Sequence, residues 1–351
     1  MRLYVAAGGG GDAIAAALLH DDPTTRPVIL TYAWERLILD PVPGPRSVDD
    51  FDGLGQDVPG IAEILATTKA RPPARSPLPR LTTTLDARLF LLDPAGGAVG
   101  MREQIRAAVA CFQPDDVIVV DVGGDIIARG DEPGLRSPMA DALVLAAAQN
   151  LDVPAQVWVA GPGLDGELTE AEALARVDEL GGVLHCSLTV ADTHAIGDAL
   201  DWHPTEATRL LVAAGFGYRG IVEIRDKGSL VALSERSADV YEFRLDRVFA
   251  SSSLSQDFVG STSLETVNAA TRARSAHSEL DYERAKASTE PTGTIRSSNP
   301  SEILTAGNIR GADYLTPRRY AELTGIALNR SHPTTADLLI PTSTNETDRV
   351  D

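Results

Sequence analysis

Residues 3–12 read Leu-Tyr-Val-Ala-Ala-Gly-Gly-Gly-Gly-Asp, a short apolar run followed by four glycines and an acid. A run that is apolar on both faces is typical of a buried parallel strand. Alanine-rich helical sequence follows, over Ala13–His20. A strand, a glycine-rich turn and a helix in this order predict the first unit of an open α/β sheet. In such a sheet, ligands bind at the carboxyl ends of the strands.

The same pattern occurs twice more along the chain. Val117–Val120 precedes the loop Asp121–Asp125 (Asp-Val-Gly-Gly-Asp), and Gln156–Ala160 precedes the loop Gly161–Glu167 (Gly-Pro-Gly-Leu-Asp-Gly-Glu). The carboxyl ends of parallel strands meet at one edge of a sheet. We therefore expect the three loops to share one rim and to line a single pocket of ordinary ligand size, roughly 300–1,000 Å³.

Strands and helices alternate over most of the chain, which predicts a mainly parallel sheet with helices on both faces. The further predicted strands are Pro27–Tyr32, Arg88–Leu92, Val183–Val190, Val240–Leu245, and the pair Ile221–Ile224 and Ser229–Leu233, which flanks a hairpin turn at Asp226-Lys227-Gly228. The further predicted helices are Ile61–Thr68, Met101–Cys111, Pro138–Gln149, Thr169–Leu180, Thr205–Ala213 and Ser263–Arg274. We interpret residues 1–287 as one Rossmann-like, doubly wound α/β domain.

The composition changes near Ser288, where Ser, Thr, Pro and Asn become frequent. Such a segment lacks the apolar periodicity that a core of its own would need. We expect residues 288–351 to form an irregular C-terminal extension with one short helix, Pro317–Leu323. We expect a disordered end from Pro341.

The composition narrows the class of partner. The chain has 351 residues, of which 43% are hydrophobic, so it can bury a large core. A net charge of −19, from 31 basic and 50 acidic residues, argues against nucleic acid and anionic membranes as partners.

We find no apolar run of 18 residues and no signal peptide, and we expect a cytoplasmic protein. Cys111 and Cys186 lie in apolar contexts that favour buried free thiols. The oligomeric state stays open, with a homo-oligomer as one option.

The first loop favours anion or nucleotide binding. Gly8, Gly10 and Ala13 match the pattern G-x-G-x-x-A between a strand and a helix, where backbone amides approach an anion at the helix N-terminus. The candidate ligand-binding residues here are Gly8, Gly9, Gly10, Gly11 and Asp12. Glu35, at the end of the second strand, is a candidate for a ribose contact in an NAD(P) site, somewhat later than usual. The carboxylate of Asp12 would repel a phosphate group, which counts against phosphate binding by this loop. The alternative is a tight turn whose small residues serve only the packing of the helix on the strand.

The second loop gives the sharpest signal. Asp121 and Asp125 flank Gly123 and Gly124 directly after a buried strand. Burying two carboxylates near each other is costly unless a cation, a ligand or a shared proton compensates. Oxygen ligands suit Mg²⁺ or Mn²⁺, so we take both acids as catalytic and metal-binding candidates. The alternative is that Asp121 caps the loop and Asp125 faces solvent. Further on, Arg129, Arg136, Ser137 and Asp141 could approach the same crevice, but a role beside the helix dipole is sufficient to explain Asp141.

The third loop supplies further candidates. Asp165 and Glu167 are candidate acid–base residues, and Gly161 and Gly163 are candidate binding residues. Acids before a helix are also ordinary, so this interpretation depends on the other loops. Ser137, the predicted N-cap of the helix after the second loop, is a candidate binding residue. Among the histidines, His194 is a candidate general base, although a surface role is the simpler explanation.

Short motifs resemble the domain-of-unknown-function 1152 family. They are the first-loop segment Gly8–Asp12, Trp34-Glu35-Arg36, Asp40-Pro41, Gly44-Pro45-Arg46, the second-loop segment Asp121–Asp125, and Asp165-Gly166-Glu167-Leu168. The resemblance covers roughly residues 1–285 and implies an α/β domain and little chemistry. It also singles out Glu35, Arg36 and Arg46 as members of a site.

These patterns favour an enzyme that acts on a small polar metabolite, phosphorylated or nucleotide-like. The first loop would hold an anionic group, and the carboxylates would hold a metal or transfer protons, in hydrolysis, group transfer or lyase chemistry. Arg36 would neutralise substrate charge. One alternative is a nicotinamide-dependent oxidoreductase. Another is a non-catalytic binding or assembly protein, for which three acid-bearing loops on one rim would be an unexplained cost.

Overall fold

A central sheet of eight strands forms the body of the protein. The computed structural model describes residues 1–130, 132, 134–196, 198–225, 228–274, 278–288, 299–325 and 338–343. The strands of all the sheets in this part of the chain are β1 (Arg2–Ala6), β2 (Val28–Thr31), β3 (Phe51–Asp52), β4 (Ala62–Ile64), β5 (Lys69–Ala70), β6 (Arg88–Leu91), β7 (Asp116–Val122), β8 (Ala155–Ala160), β9 (Val183–Ser187), β10 (Gly220–Ile224), β11 (Ser229–Leu233), β12 (Asp239–Arg244), β13 (Tyr314–Leu315) and β14 (Ile340–Pro341).

The central sheet has the order β4-β6-β2-β1-β7-β8-β12-β9 and is mostly parallel. The five strands from β6 to β8 pair in parallel, and β4, β12 and β9 pair antiparallel at the two sides. Successive parallel strands step outward from β1 in one direction and then, starting with β7, in the other. The crevice between the carboxyl ends of β1 and β7 is therefore the place where such a sheet binds ligands.

Helices cover both faces of this sheet. They are α1 (Gly10–Leu18), α2 (Leu78–Thr84), α3 (Gly97–Phe112), α4 (Pro138–Ala147), α5 (Glu170–Leu180), α6 (Ala199–Trp202), α7 (Ala207–Gly215), α8 (Leu245–Ser251), α9 (Ser253–Phe258), α10 (Leu264–Arg274), α11 (Glu279–Ser288), α12 (Pro300–Ile309) and α13 (Pro317–Thr324). Within the described residues, no helix is long and apolar enough to cross a membrane.

Alternation along β1 shows how the two cores arise. Tyr4 and Ala6 belong to a core that includes α1 and α7, whereas Leu3 and Val5 belong to a core that includes α3 and α4. Successive side chains of a strand point to opposite faces, so a strand buried on both faces must be apolar throughout. The chain is therefore a mixed α/β protein with a mostly parallel sheet, as the alternating pattern predicted.

Local signals set the ends of the helices where the caps are strong. Thr169 accepts a hydrogen bond from the amide of Glu172, whose side chain bonds back to the Thr169 amide, and this reciprocal capping begins α5. Gly181 ends the same helix with a φ of 69°. Glycine adopts this left-handed conformation at little cost, and the helix therefore ends at this point. The prediction of a helix up to Leu180 is confirmed.

The C-terminal extension is more regular than its composition suggests. Strands β13 and β14 continue a second sheet, in the order β11-β10-β13-β14, and α12 was not predicted. Glu223 of β10, fully buried, forms ion pairs of 2.7 Å with Arg310 and Arg319 of the extension. The predicted short helix Pro317–Leu323 is confirmed as α13, whereas α12, β13 and β14 correct the expectation that the rest of the extension is irregular, with disorder from Pro341. Residues 344–351 lie outside the described residues.

Two further predictions need correction, and one falls outside the description. The predicted helix Ile61–Thr68 is wrong, because this segment contains β4, which pairs with β6. Cys111 is exposed and Cys186 is half-buried, so neither is the buried thiol expected. Strands β10 and β11 pair antiparallel as the hairpin signal predicted. The turn residues 226 and 227 lie outside the described residues.

Candidate functional site

The three glycine-rich loops share one rim of the central sheet. They follow β1, β7 and β8, which are adjacent and parallel. The amide of Gly163 donates a 2.6 Å hydrogen bond to the carbonyl oxygen of Gly123, so the second and third loops touch. The prediction of a common rim is confirmed, because parallel neighbouring strands must present their carboxyl ends at the same edge.

Three carboxylates from three different elements converge in this crevice. Asp12 lies in the first turn of α1, Asp121 lies near the end of β7, and Asp141 lies in the first turn of α4. One carboxylate oxygen of each lies within 4.8 Å of the other two. Backbone amides hold two of them, since Gly8 donates to Asp12 at 2.6 Å and Gly124 donates to Asp121 at 2.9 Å.

Asp141 is the least satisfied member of this cluster, which we call the acid triad. Its side chain is buried, yet its Oδ1 atom has no hydrogen-bond partner among the residues that the structure describes. A buried polar atom without a partner costs about 1–3 kcal/mol, and more when the group is charged. The triad therefore has an oxygen that is free to bind a ligand.

The electrostatics of the triad favour the uptake of a cation. Burial, with the charge of Asp165 as a smaller cause, raises the pKa of Asp12 to about 7. Burial and the neighbouring carboxylates raise the pKa of Asp121 and of Asp141 well above the ordinary value. Without a cation these acids hold protons near neutral pH, and a divalent ion would replace those protons.

Asp125 and Asp165 form a second pair of carboxyl groups beside the triad. Burial is the main cause that raises the pKa of Asp165 to about 6 and that of Asp125 well above its usual range. Asp165 accepts a 2.7 Å hydrogen bond from the Glu167 amide, but its Oδ2 atom has no partner. Carboxyl groups with pKa values near neutrality are suited to proton transfer.

Gly123 is the point at which the second and third loops meet most closely. It has a φ of 119°, and a Cβ atom placed there would lie 2.4 Å from Cγ of Asp165. Only glycine permits both this backbone conformation and this approach. The diglycine of the second loop therefore admits the acid of the third.

Glu167 has a structural role that its sequence position did not reveal. Its carboxylate accepts hydrogen bonds from the amides of Arg136, at 2.6 Å, and Ser137, at 2.9 Å, and from the Ser137 hydroxyl. Arg225 forms an ion pair of 3.2 Å with it. Burial opposes ionisation, but Arg225 and these hydrogen bonds outweigh it and lower the pKa of Glu167. Glu167 is therefore a fixed anion at the start of α4.

Glu35 and His203 form a separate polar cluster on the first loop. A Cβ atom on Gly10 would lie 2.9 Å from Nε2 of His203 and 3.4 Å from Oε1 of Glu35. Both side chains are buried, and neither of these two atoms has a partner. The amide of Thr205 donates to Nδ1 of His203, so a neutral ring carries its proton on Nε2. Burial lowers the pKa of His203 to about 3 and raises that of Glu35 to about 8.

Arg36 lies on the same side of the site as the acids of α11. Its side chain is half exposed and pairs with Glu283 at 3.7 Å. Burial opposes the charged form, but Glu279 and Glu283 outweigh it and raise the pKa of Arg36. Glu279 accepts hydrogen bonds from the Met139 and Ala140 amides, so it caps α4 from the other side.

Several candidates lie away from the acids or have structural roles. Arg46 pairs with Asp40 at 3.1 Å and donates to three carbonyl oxygens of its own loop, so it shapes that loop. His194 is exposed. A Cβ atom on Gly161 would lie 2.3 Å from Leu164, and one on Gly163 would lie 2.6 Å from the Glu170 amide, so both glycines serve close packing.

The sequence placed Asp141 near the crevice without a ligand role, and it did not reveal His203 at all. A signal existed for Asp141, because it is the only acid in α4, where every residue is buried. An acid in a fully buried helix is rarely explained by the helix dipole alone. His203 carries no comparable signal, since its position beside Gly10 depends on the packing of distant segments.

The cavity beside Asp125 and Asp141 is small. Its volume is about 20 Å³, and Leu135, Pro138 and Leu254 also line it. This volume suits a single water molecule rather than a metabolite. This cavity is therefore much smaller than the pocket of ordinary ligand size that we expected the three loops to line.

Comparisons with known proteins place the chain in a family without supplying a chemistry. The curated proteins and the solved structures yield no match. A family model described as a protein of unknown function (DUF1152) matches residues 3–287, and the chain therefore belongs to the DUF1152 family.

Proposed function

We propose that this protein is a metal-dependent enzyme that acts on a small polar metabolite, phosphorylated or nucleotide-like, and that Mg²⁺ or Mn²⁺ binds to Asp12, Asp121 and Asp141. The observation that carries the proposal is the acid triad, whose three oxygens lie within 4.8 Å of one another. Placing three carboxylates together is costly when two of them, Asp121 and Asp141, are buried and Asp12 is partly buried, and a divalent cation offsets that cost. Carboxylate oxygens are also the ligands that these two ions prefer.

The position of the triad supports an active site. We interpret the fold as Rossmann-like and doubly wound, because the parallel strands have the order β6-β2-β1-β7-β8. The chain adds β2 and β6 on one side of β1 and then adds β7 and β8 on the other. Asp12 follows β1, and Asp121 lies near the end of β7. The triad would then lie at the topological switch point, where sheets of this kind bind their ligands.

The other residues of the rim have roles that suit hydrolysis, group transfer or lyase chemistry. A bound divalent ion polarises a substrate oxygen and lowers the pKa of a bound water. Asp125 and Asp165, whose pKa values are raised toward neutrality or above, would move a proton beside it. Arg36, which is half exposed and pairs with Glu283, would neutralise substrate charge. Because the cavity beside Asp125 is small, a metabolite would enter only if the surrounding loops opened.

A nicotinamide-dependent oxidoreductase is the weaker candidate. The carboxyl group of Asp12 already accepts the Gly8 amide, and its negative charge, whenever it is ionised, repels a pyrophosphate. Glu35 is buried beside His203, and its raised pKa favours the protonated form, whereas a ribose contact uses an accessible acid. A non-catalytic assembly protein would leave the unpartnered Asp141 oxygen without a purpose.

Metal binding by the wild type and by two Asp→Asn variants tests the proposal. Asp141→Asn removes one charge of the triad, and Asp178→Asn, an exposed acid of α5, is the matched control. Mn²⁺ affinity would be measured by calorimetry and paramagnetic resonance, beside thermal unfolding. Wild type and control should gain about 2.7 kcal/mol at a metal concentration about 100 times the dissociation constant. Equal Mn²⁺ binding by Asp141→Asn, or none by the wild type, would contradict the metal site.

A further inference from the structure

Arg225 connects the acids of the third loop to the second sheet. Its guanidinium pairs with Glu167 at 3.2 Å and also donates to the carbonyl oxygen of Asp165. Its backbone has a φ of 58°, a left-handed conformation that is uncommon for a residue with a side chain. A residue held in such a conformation needs support from its surroundings.

Glu206 provides part of that support, and the extension holds Glu206. The Arg225 amide donates a 3.0 Å hydrogen bond to Oε1 of Glu206. The hydroxyl of Thr316 donates to the same oxygen at 2.6 Å, and Arg318 lies 3.6 Å from Oε2. Thr316 and Arg318 belong to the extension, which lies beyond the family match at 3–287. Two residues, Glu206 and Arg225, therefore connect the extension to Glu167.

Glu167 in turn fixes the start of α4, the helix that carries Asp141. It accepts hydrogen bonds from the amides of Arg136 and Ser137, whereas the Ser137 side chain makes no capping bond of its own. Asp141 lies in the first turn of this helix. A shift of Glu167 would therefore move the unpartnered oxygen of the acid triad.

We infer that Arg225 is a positioning residue for the metal site, and that through it the docked extension sets the position of Asp141. The inference rests on the proposed metal function. The contacts run in sequence from Thr316 to Glu206, to Arg225, to Glu167 and to the first turn of α4. Partners that orient metal ligands typically change metal affinity about 10–100-fold when they are removed.

Mn²⁺ affinity of the full chain tests this inference, with Arg225→Gln as the main variant. The matched control is Arg219→Gln, because Arg219 directly precedes β10 as Arg225 directly follows it. The side chain of Arg219 donates to the carbonyl oxygens of Ala214 and Tyr218. We expect affinity to fall about tenfold or more in Arg225→Gln and to stay unchanged in Arg219→Gln. Arg225→Lys, which keeps the charge but not the two-pronged donor, should restore part of the affinity.

A second pair of variants covers the case in which Arg225→Gln does not fold. Thr316→Val removes the hydroxyl that binds Glu206, and Asn299→Ala removes the cap of α12 in the same extension without touching Glu206. Thr316 also caps α13 by accepting the Arg319 amide, so both substitutions weaken a helix cap. Only Thr316→Val should weaken Mn²⁺ binding. Wild-type affinity in a folded Arg225→Gln protein, or equal losses in Thr316→Val and Asn299→Ala, would overturn the inference and leave the metal site standing. No Mn²⁺ binding by the wild type would overturn both.

Discussion

The carboxylate of Asp12 accepts a 2.6 Å hydrogen bond from the amide of Gly8, four residues earlier. The glycine-rich loop thus binds an anion that belongs to the chain itself. An amide that is already satisfied gives little to an external phosphate. The first loop is therefore better explained as a device that presents Asp12 to the acid triad than as a phosphate-binding turn.

Two substitutions of Asp12 separate its structural role from its charge. Asp12→Asn keeps an oxygen that can accept the Gly8 amide, whereas Asp12→Ala removes it. We expect Mn²⁺ affinity to fall about tenfold or more in both, and the melting temperature without metal to fall only in Asp12→Ala. Calorimetry and thermal unfolding check this. If Asp12→Asn bound Mn²⁺ as tightly as the wild type, Asp12 would have only the structural role.

Gly123→Ala tests the contact between the second and third loops. The new Cβ would meet Asp165 at 2.4 Å, in addition to the strain of a φ of 119°. Gly130→Ala is the matched control, because its φ of 103° gives similar backbone strain but no atom of the described part of the chain lies within 4 Å of the new Cβ. The control should lose about 1–2 kcal/mol. Gly123→Ala should lose clearly more in urea unfolding, and equal losses would mean that the approach of Asp165 is unimportant.

The sequence predicted the parts of the fold that depend on neighbours along the chain. The run before Gly8, the loop and α1 are contiguous, so one local pattern specified a strand, a turn and a helix. β13 and β14 are only two residues long and are stabilised by pairing with distant segments. No local pattern marks such strands. The same holds for β4, whose position depends on pairing with β6.

The candidate site divides in the same way. Asp121 and Asp125 were identified because acids flanking a diglycine after a buried strand are unusual in any context. Asp12 was identified as part of an anion-binding loop, whereas its approach to Asp141 is a tertiary contact that no local pattern predicts. Arg225 could not be identified, since its contact with Glu167 joins segments 58 residues apart.

Gly10→Ala should destabilise the protein, although alanine is normally the better helix residue. Replacing a helical glycine by alanine usually stabilises by about 0.5–1 kcal/mol. At Gly10 the Cβ would press on Nε2 of His203 at 2.9 Å and on Oε1 of Glu35 at 3.4 Å. Gly100→Ala in α3 is the control, because no atom lies within 4 Å of its Cβ. In thermal unfolding, the melting temperature should fall in Gly10→Ala and rise in Gly100→Ala. A rise in both would mean that His203 and Glu35 move aside for the new Cβ at little cost.

The metal-free protein should lose stability as the pH rises from about 5 to 8. The raised pKa values of Asp12, near 7, and of Asp165, near 6, mean that the native state holds protons that the unfolded state releases near pH 4. Each such proton lowers the free energy of unfolding by about 1.4 kcal/mol per pH unit between the unfolded and the folded pKa, so the contribution of Asp165 ends near pH 6 and that of Asp12 near pH 7. This contribution is fully present below the unfolded pKa and is lost as the pH passes through the folded pKa.

Divalent metal should reverse this loss and release protons as it binds. At pH 8 the carboxylates of the triad are closest to their charged form, so Mn²⁺ should bind more tightly and stabilise more than at pH 6. Calorimetry in two buffers of different ionisation enthalpy would give the number of protons released, and urea unfolding with and without Mn²⁺ would give the stability. Asp141→Asn should flatten the metal-free pH profile between 5 and 8, because one of the buried acids is removed. A wild-type profile that rises over this interval, or Mn²⁺ binding without proton release, would mean that the triad is already ionised and is stabilised by something other than a cation.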